Sequence, residues 1–221
     1  MGTIAVIDYG MGNLRSVARA LEHVAPRGVR IRVTACPDEV LAAERVVFPG
    51  QGAARDCMAA LARHGLREAL LQAAHERPFL GMCMGLQVLL EHSDEGDTPC
   101  LGLVPGRVRR FAAGRHAADG SRCKIPHMGW NEVWQEGEHP LWAGIADGTR
   151  FYFVHSYYAD PTDPGHVAGT TEHGDRFCSA LASANLFACQ FHPEKSSAAG
   201  LRLLANFVSW DPQRRGAAAS C

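Results

Sequence analysis

The chain has 221 residues, 47% of them hydrophobic, with 22 Lys plus Arg against 23 Asp plus Glu and a formal net charge of -1. That length can bury one substantial core, and the charge balance lacks the field that draws a protein to nucleic acid or an anionic membrane. A small, roughly neutral substrate suits it better, and the eight cysteines, with no CxxC pair or regular spacing, fit neither a disulfide framework nor a zinc site.

Dispersed thiols point to a reducing compartment. The N-terminal MGTIAVIDYG has no basic region or cleavage signal, Val6 breaks the myristoylation pattern that Met1-Gly2 begins, and no apolar run reaches membrane-spanning length. The expectation is a soluble cytoplasmic protein.

In chain order, TIAVIDYG (3–10) reads as a strand closing in a glycine turn, and NLRSVARALEHV (13–24) as a helix with Leu14, Val17, Ala18 and Leu21 on one face. RIRVTA (30–35) and AERVVFPG (43–50) read as strands, DCMAALARHGLREALLQAAHE (56–76) as a helix, RPFLGMC (77–83) as a strand and MGLQVLLEH (84–92) as a helix. Past about residue 101 the texture turns antiparallel, with strands expected in 106–114, 131–135, 149–159, 166–174 and 176–194, followed by a helix over 198–210. The predicted fold is α/β: one domain over 1–210 with a central mixed, mostly parallel sheet flanked by helices, and a flexible tail over 211–221.

Gly10-Met11-Gly12 after the first strand invites a dinucleotide reading, but Arg15 stands where GxGxxG needs its third glycine, so a plain strand-to-helix turn fits better. Gly81-Met82-Cys83-Met84-Gly85 is more specific: it has the GxSxG spacing of a nucleophile elbow with cysteine for serine, between a strand and a helix. A side chain there faces free backbone N–H groups and the positive end of the helix dipole, a setting that activates a thiol.

A nucleophilic thiol calls for a base. His192 follows an apolar run and precedes Pro193-Glu194, so Glu194 can turn back to hold one ring nitrogen while the other faces Cys83. His155 competes, but no nearby carboxylate orients it, and a packed, hydrogen-bonded strand histidine is the simpler reading. For the oxyanion, the backbone of Gly50-Gln51-Gly52 sits at the end of a neighbouring strand, and the Met84 N–H adjoins the nucleophile. No HExxH or paired CxxC suggests a metal, and no cofactor is implied.

FLGMCMGLQ, with PGQG upstream and FHPEKSS downstream, resembles the class I, triad-type glutamine amidotransferases from about Thr3 to Trp210. DYGMGN, KIPHMGWNEV, FYFVHSYYA and the KSS of HPEKSS are similar to one branch of that family, the glutaminase subunits of imidazole glycerol phosphate synthases. The resemblance implies a glutaminase that passes ammonia by a sheltered route to a (βα)8-barrel cyclase in a heterodimer, with neither nucleic acid nor membrane as partner.

By position, the resemblance makes Cys83 the nucleophile, His192 the base and Glu194 its orienting carboxylate. It puts Gly52, Gln87, Ser156 and Tyr157 on the glutamine, and Asn13, Trp130, Tyr152 and Lys195 at the subunit interface. Many relatives carry valine where this chain has Gln51; backbone groups would bind the oxyanion, so that role is unaffected. The rival readings are a glutaminase subunit of another synthase and a catalytically silent binding or redox protein with an elbow cysteine.

Overall fold

A computed structural model describes residues 2–116 and 120–212. In chain order its elements are β1 (Thr3–Ile7), α1 (Leu14–Val24), β2 (Arg30–Thr34), α2 (Pro37–Ala42), β3 (Arg45–Gly50), α3 (Ala54–Arg63), α4 (Leu66–Glu76), β4 (Phe79–Cys83) and α5 (Met84–Gln87). The short β5 (His92–Ser93) and β6 (Thr98–Pro99) follow, then β7 (Gly106–Arg110), β8 (His127–Gln135), β9 (Thr149–His155), β10 (Tyr157–Pro161), β11 (Val167–His173), β12 (Asp175–Ser183), β13 (Leu186–Cys189) and α6 (Ser197–Ser209). The tail expected to fray lies, beyond Pro212, outside the described residues.

The sheet is parallel through β2-β1-β3-β4-β13 and turns antiparallel at β12 and β10, with β8, β9 and β11 extending it as a ribbon. This single α/β domain has the mixed sheet that the sequence leads one to expect. Alternation along its buried strands sends Val46, Phe48 and Phe79 to one face, under α2, α3 and α4, and Val47, Leu80 and Phe187 to the other, under α1 and α6. Both faces are covered, which is why β4 is buried from end to end.

Several elements depart from the sequence reading, each for a local reason. The predicted helix 56–76 is two helices, because Gly65 takes φ 64° between them, a conformation that costs a glycine little. The predicted helix 84–92 stops after one turn. The carbonyls of Val88, Leu89 and Leu90 accept hydrogen bonds from the N–H groups of Leu101, Leu103 and Gly102, so they are not free to continue a helix. The run 149–159 breaks at Ser156, where the chain leaves the β8–β9 hairpin and enters the central sheet as β10 between β7 and β12. The run 176–194 breaks into β12 and β13 at Ala184-Asn185, where Ala184 adopts φ 49°. Helix α2, the β5–β6 pair and the first four residues of β8 carry no such signal in the sequence.

Candidate active site

The parallel register sets Gly50 beside Cys83 and Met82 beside Cys189, so β3, β4 and β13 end along one edge, with His192 three residues past β13. Ligand sites of open α/β sheets form at such carboxyl edges. Cys83 occupies φ 54°, ψ -109° between β4 and α5, a strained turn that costs a non-glycine residue about 1–3 kcal/mol and holds the side chain clear of the sheet.

The flanking glycines are steric necessities. A Cβ on Gly85 would collide with the Phe48 carbonyl, and one on Gly81 would stand 2.8 Å from the Gly85 oxygen. Gly85→Ala should therefore lower unfolding stability by about 3 kcal/mol, read in urea denaturation, because the obstruction is backbone that cannot swing aside. An unchanged midpoint would contradict the close approach of β3 to the elbow.

His192 is buried and its Nδ1 lies 3.0 Å from Glu194 Oε1. A 3-10 turn over Pro193–Lys195 brings that carboxylate back under the ring, and Ser196 locks the turn by donating to the His192 carbonyl at 2.7 Å while accepting the Tyr152 N–H at 3.0 Å. Nε2 has no hydrogen-bond partner at short range among the described residues; the group that acts on the ring besides Glu194 is Cys83. Burial pulls the ring's pKa down, but hydrogen bonding and charge interaction with Cys83 and Glu194 outweigh it and hold the value at about 10.

That folded value lies above the ordinary 6.5, so the stabilisation it reports is fully present below pH 6.5 and is lost as the pH rises through about 10. Unfolding midpoints from neutral pH to about pH 10 should fall more steeply for the wild type than for Cys83→Ala, which lacks the sulfur. Parallel curves would show that Cys83 does not hold the histidine's proton.

His155 is occupied differently: Nδ1 meets the Tyr157 carbonyl at 2.8 Å and Nε2 meets His127 Nδ1 at 2.9 Å, so neither nitrogen is free for the thiol. Desolvation, opposed only by the Tyr157 hydrogen bond, brings its pKa down to about 3, and His127 is lowered to about 3 by burial and its histidine neighbours.

A cavity of about 490 Å³ opens over this edge, lined by Gln51, Gly52, Cys83, Met84, Gln87, Ser156, Tyr157 and His192. Tyr152 and Lys195 stand at it as well, but Gly50 does not: it is sealed beneath, against the Tyr9 hydroxyl, with which a Cβ would collide. Gln87 donates through Nε2 to the Tyr157 carbonyl and to Gln190 Oε1, both at 3.0 Å, which leaves its own Oε1 without a partner among the described residues.

Trp130 and Tyr152 pair across β8 and β9 with ring centroids 6.2 Å apart, and Lys195 Nζ lies 5.9 Å over the Tyr152 ring. Met128, on the same face of β8 as Trp130, is 66% exposed and Trp130 49%. Asn13 is the N-cap residue of α1, at the β1–α1 turn, where the adjoining Gly12 approaches Gly50.

Two residues of the site were missed by sequence reasoning. Gln190, fully buried, reaches Cys83 Sγ from Nε2 at 3.7 Å; a lone polar residue in the apolar run LFACQF was its only signal. Glu95 lines the cavity while accepting the Ala54 N–H at 2.8 Å, and nothing near it in sequence marks it.

A cysteine on a strained strand-to-helix elbow, a buried His–Glu pair beside it and donors around an adjoining cavity define a protein built for acyl transfer through a thiol. The family described as Glutamine amidotransferase class-I matches residues 5–210, and the chain belongs to it: the protein is a glutamine amidotransferase. It is 61% identical over 213 residues to the imidazole glycerol phosphate synthase subunit HisH of Aromatoleum aromaticum, covering 96% of this chain and 100% of that protein. It is 59% identical over 216 residues to the protein of the same name from Thiobacillus denitrificans, covering 97% and 94%. Among solved structures, one titled as a glutamine amidotransferase aligns with a TM-score of 0.69 at 17% identity over 94% of this chain and 99% of that one. The glutaminase domain of Trypanosoma brucei CTPS aligns at 0.62 and 17% identity over 96% and 95%, and both are likenesses of fold alone.

Proposed function

We propose that the chain is the glutaminase subunit of an imidazole glycerol phosphate synthase, serving histidine biosynthesis in the cytoplasm as a heterodimer with a (βα)8-barrel cyclase. The observation that carries this reading is that Cys83 and His192 line one cavity with Glu194 held against the histidine, in a chain about 60% identical to subunits of that name. The same relatives weigh against a glutaminase of another synthase, and the His–Glu pair beside the thiol weighs against a silent binding or redox protein.

In the reaction, Cys83 sulfur attacks the side-chain carboxamide carbon of glutamine, and the C–N bond breaks as His192 gives its proton to the departing nitrogen, releasing ammonia. Water then attacks the glutamyl thioester, His192 takes its proton, and glutamate leaves with the thiol restored. Backbone N–H groups of Met84 and of Gln51–Gly52 hold the oxyanion of each tetrahedral intermediate, an effect typically worth about two to three powers of ten per donor; Gly50, sealed beneath, is left out of that set. Glutamine lies against Gly52, Gln87, Ser156 and Tyr157, and Glu95 is the carboxylate within reach of its α-ammonium.

Ammonia loses its nucleophilicity on protonation in bulk water, so the cyclase docks over the cavity mouth and receives it directly. The exposed Met128–Trp130 face with Tyr152 and Lys195 is the anchor of that contact, and Asn13 meets the partner at the β1–α1 turn. The Gly50–Gly52 segment stays unproductive until the partner carries its nucleotide substrate, a change that glycines on both sides of Gln51 make easy.

The test is reconstitution with the cyclase from the same cell. The two chains should co-elute, and glutamine turnover should rise sharply when the cyclase carries its substrate. Trp130→Ala should weaken the complex about 30-fold, as loss of a central aromatic anchor does. Turnover that ignores the cyclase and its substrate would contradict the gating, and absence of a complex would contradict the place of this chain in such a synthase.

A further inference from the structure

From the cavity wall, where His155 stands, a line of polar groups that the chemistry above does not use runs inward. Asn131 Oδ1 accepts the Glu132 N–H at 2.8 Å, so its amide nitrogen is the end that donates to the Glu172 carbonyl at 2.8 Å and meets His127 Nε2 at 3.1 Å. His127 Nδ1 meets His155 Nε2 at 2.9 Å, and His155 Nδ1 meets the Tyr157 carbonyl at 2.8 Å. A carbonyl only accepts, so His155 carries its proton on Nδ1; a neutral ring then has a bare Nε2, which obliges His127 to carry its proton on Nδ1 too. The bare Nε2 of His127 is the atom that the Asn131 amide faces. Every link has one donor and one acceptor in a single consistent direction.

The far end of the line is a glutamine contact. The Tyr157 carbonyl has two lone pairs: one takes the His155 proton, the other takes a hydrogen of Gln87 Nε2, whose second hydrogen goes to Gln190. That arrangement fixes which way the Gln87 amide points and turns its unpartnered Oε1 to a ligand. With the opposite tautomer at His155, two lone pairs would face each other at 2.8 Å, and the carbonyl would have to turn away from its place.

We propose that Asn131, His127 and His155 form a one-way hydrogen-bond relay that holds the Tyr157 carbonyl, and through it Gln87, in position for glutamine. His127 and His155 are thus positioning residues of the glutaminase reaction, and this role rests on the reading given under Proposed function. The surroundings keep both rings neutral. His127 is stacked on His173 at 4.2 Å and packed on Phe153, His173 Nε2 is bonded to the Lys124 carbonyl, and His155 is packed among Phe111, Phe153 and Phe177 with the cation-forming His192 nearby. A proton added to either histidine would meet apolar rings and other histidines, with no carboxylate among these neighbours.

The experiment has two arms. In 15N-histidine-labelled wild-type protein, long-range 1H–15N spectra should show two rings protonated at Nδ1 and bare at Nε2, unchanged from about pH 5 to pH 9, although free imidazole favours the other tautomer and titrates in that range. A ring protonated at Nε2, or one that titrates, at either position overturns the relay. In the reconstituted complex, His127→Phe and His155→Phe should raise KM for glutamine about 10-fold or more with kcat within about threefold, while His155→Asn, which restores a donor to the Tyr157 carbonyl, should recover most of the loss. Unchanged KM in the Phe variants overturns the positioning role. Should those variants not fold, Asn131→Asp decides the matter: a carboxylate accepts where the amide donates, so it must reverse His127 and raise KM, and wild-type kinetics there overturn the proposal. Wild-type complex without glutamine turnover would defeat the glutaminase reading instead, leaving the tautomer pattern to stand or fall on its spectra.

Discussion

Cys83→Ala should lower glutamine hydrolysis by the complex at least about a thousandfold while the cyclase still turns over when ammonia is added directly. The sulfur is the nucleophile that stands at the end of β4, and the elbow that presents it is held by Phe48, Gly81 and Gly85, not by the thiol itself. Alanine removes the reacting atom and leaves the cavity, so affinity for glutamine should change little while kcat collapses. The buried thiols of the core do not substitute. Burial pushes Cys57 up to about 12 and Cys100 up to about 11, and it raises Cys178 and Cys189 as well. Glutaminase activity surviving within tenfold would overturn the mechanism.

His192→Asn should cost about as much, and its effect on top of Cys83→Ala should be close to nothing. Sulfur and ring act as one unit: without the imidazole the amine leaves unprotonated and the water that clears the thioester has no base. Asparagine still offers an amide N–H where Nδ1 of His192 meets Glu194, so the loss of rate should come with little loss of stability. Steady-state kinetics of both single variants and the double variant, compared as a cycle, measure this; strictly additive losses would show two groups working independently.

The parts of the site that share a short stretch of chain are readable in the sequence. The elbow can be seen in GMCMG because Gly81 and Gly85 are demanded by backbone approaches of β4 and α5 to their neighbours, and His192–Glu194 because the pair is separated only by the proline that turns it. The alternation of strands and helices up to β4 is equally plain, since buried parallel strands are unbroken apolar runs.

What escapes depends on register between distant segments. His127 meets His155 only because β8 and β9 pair them directly, and Gln190 meets Gln87 across 103 residues. Glu95 reaches the cavity from the loop between β5 and β6, a pair too short to leave a pattern. Helix α5 reads as nine residues because its apolar spacing is good, yet the 101–104 segment captures the carbonyls that would extend it. Trp130, Tyr152 and Lys195 come from three separate stretches of chain and make one patch only through the pairing of β8 with β9 and the turn after β13.

The central claim, that glutamine is opened by Cys83 as a thioester, is tested most directly by acid-quenching the working complex within its first turnovers and mapping the adduct by mass spectrometry. The account predicts one glutamyl group per chain, on the peptide that holds Cys83, absent from Cys83→Ala and built up in variants slow to hydrolyse it. Glutamate released at the full rate with no adduct at Cys83, or an adduct on another residue, would contradict it.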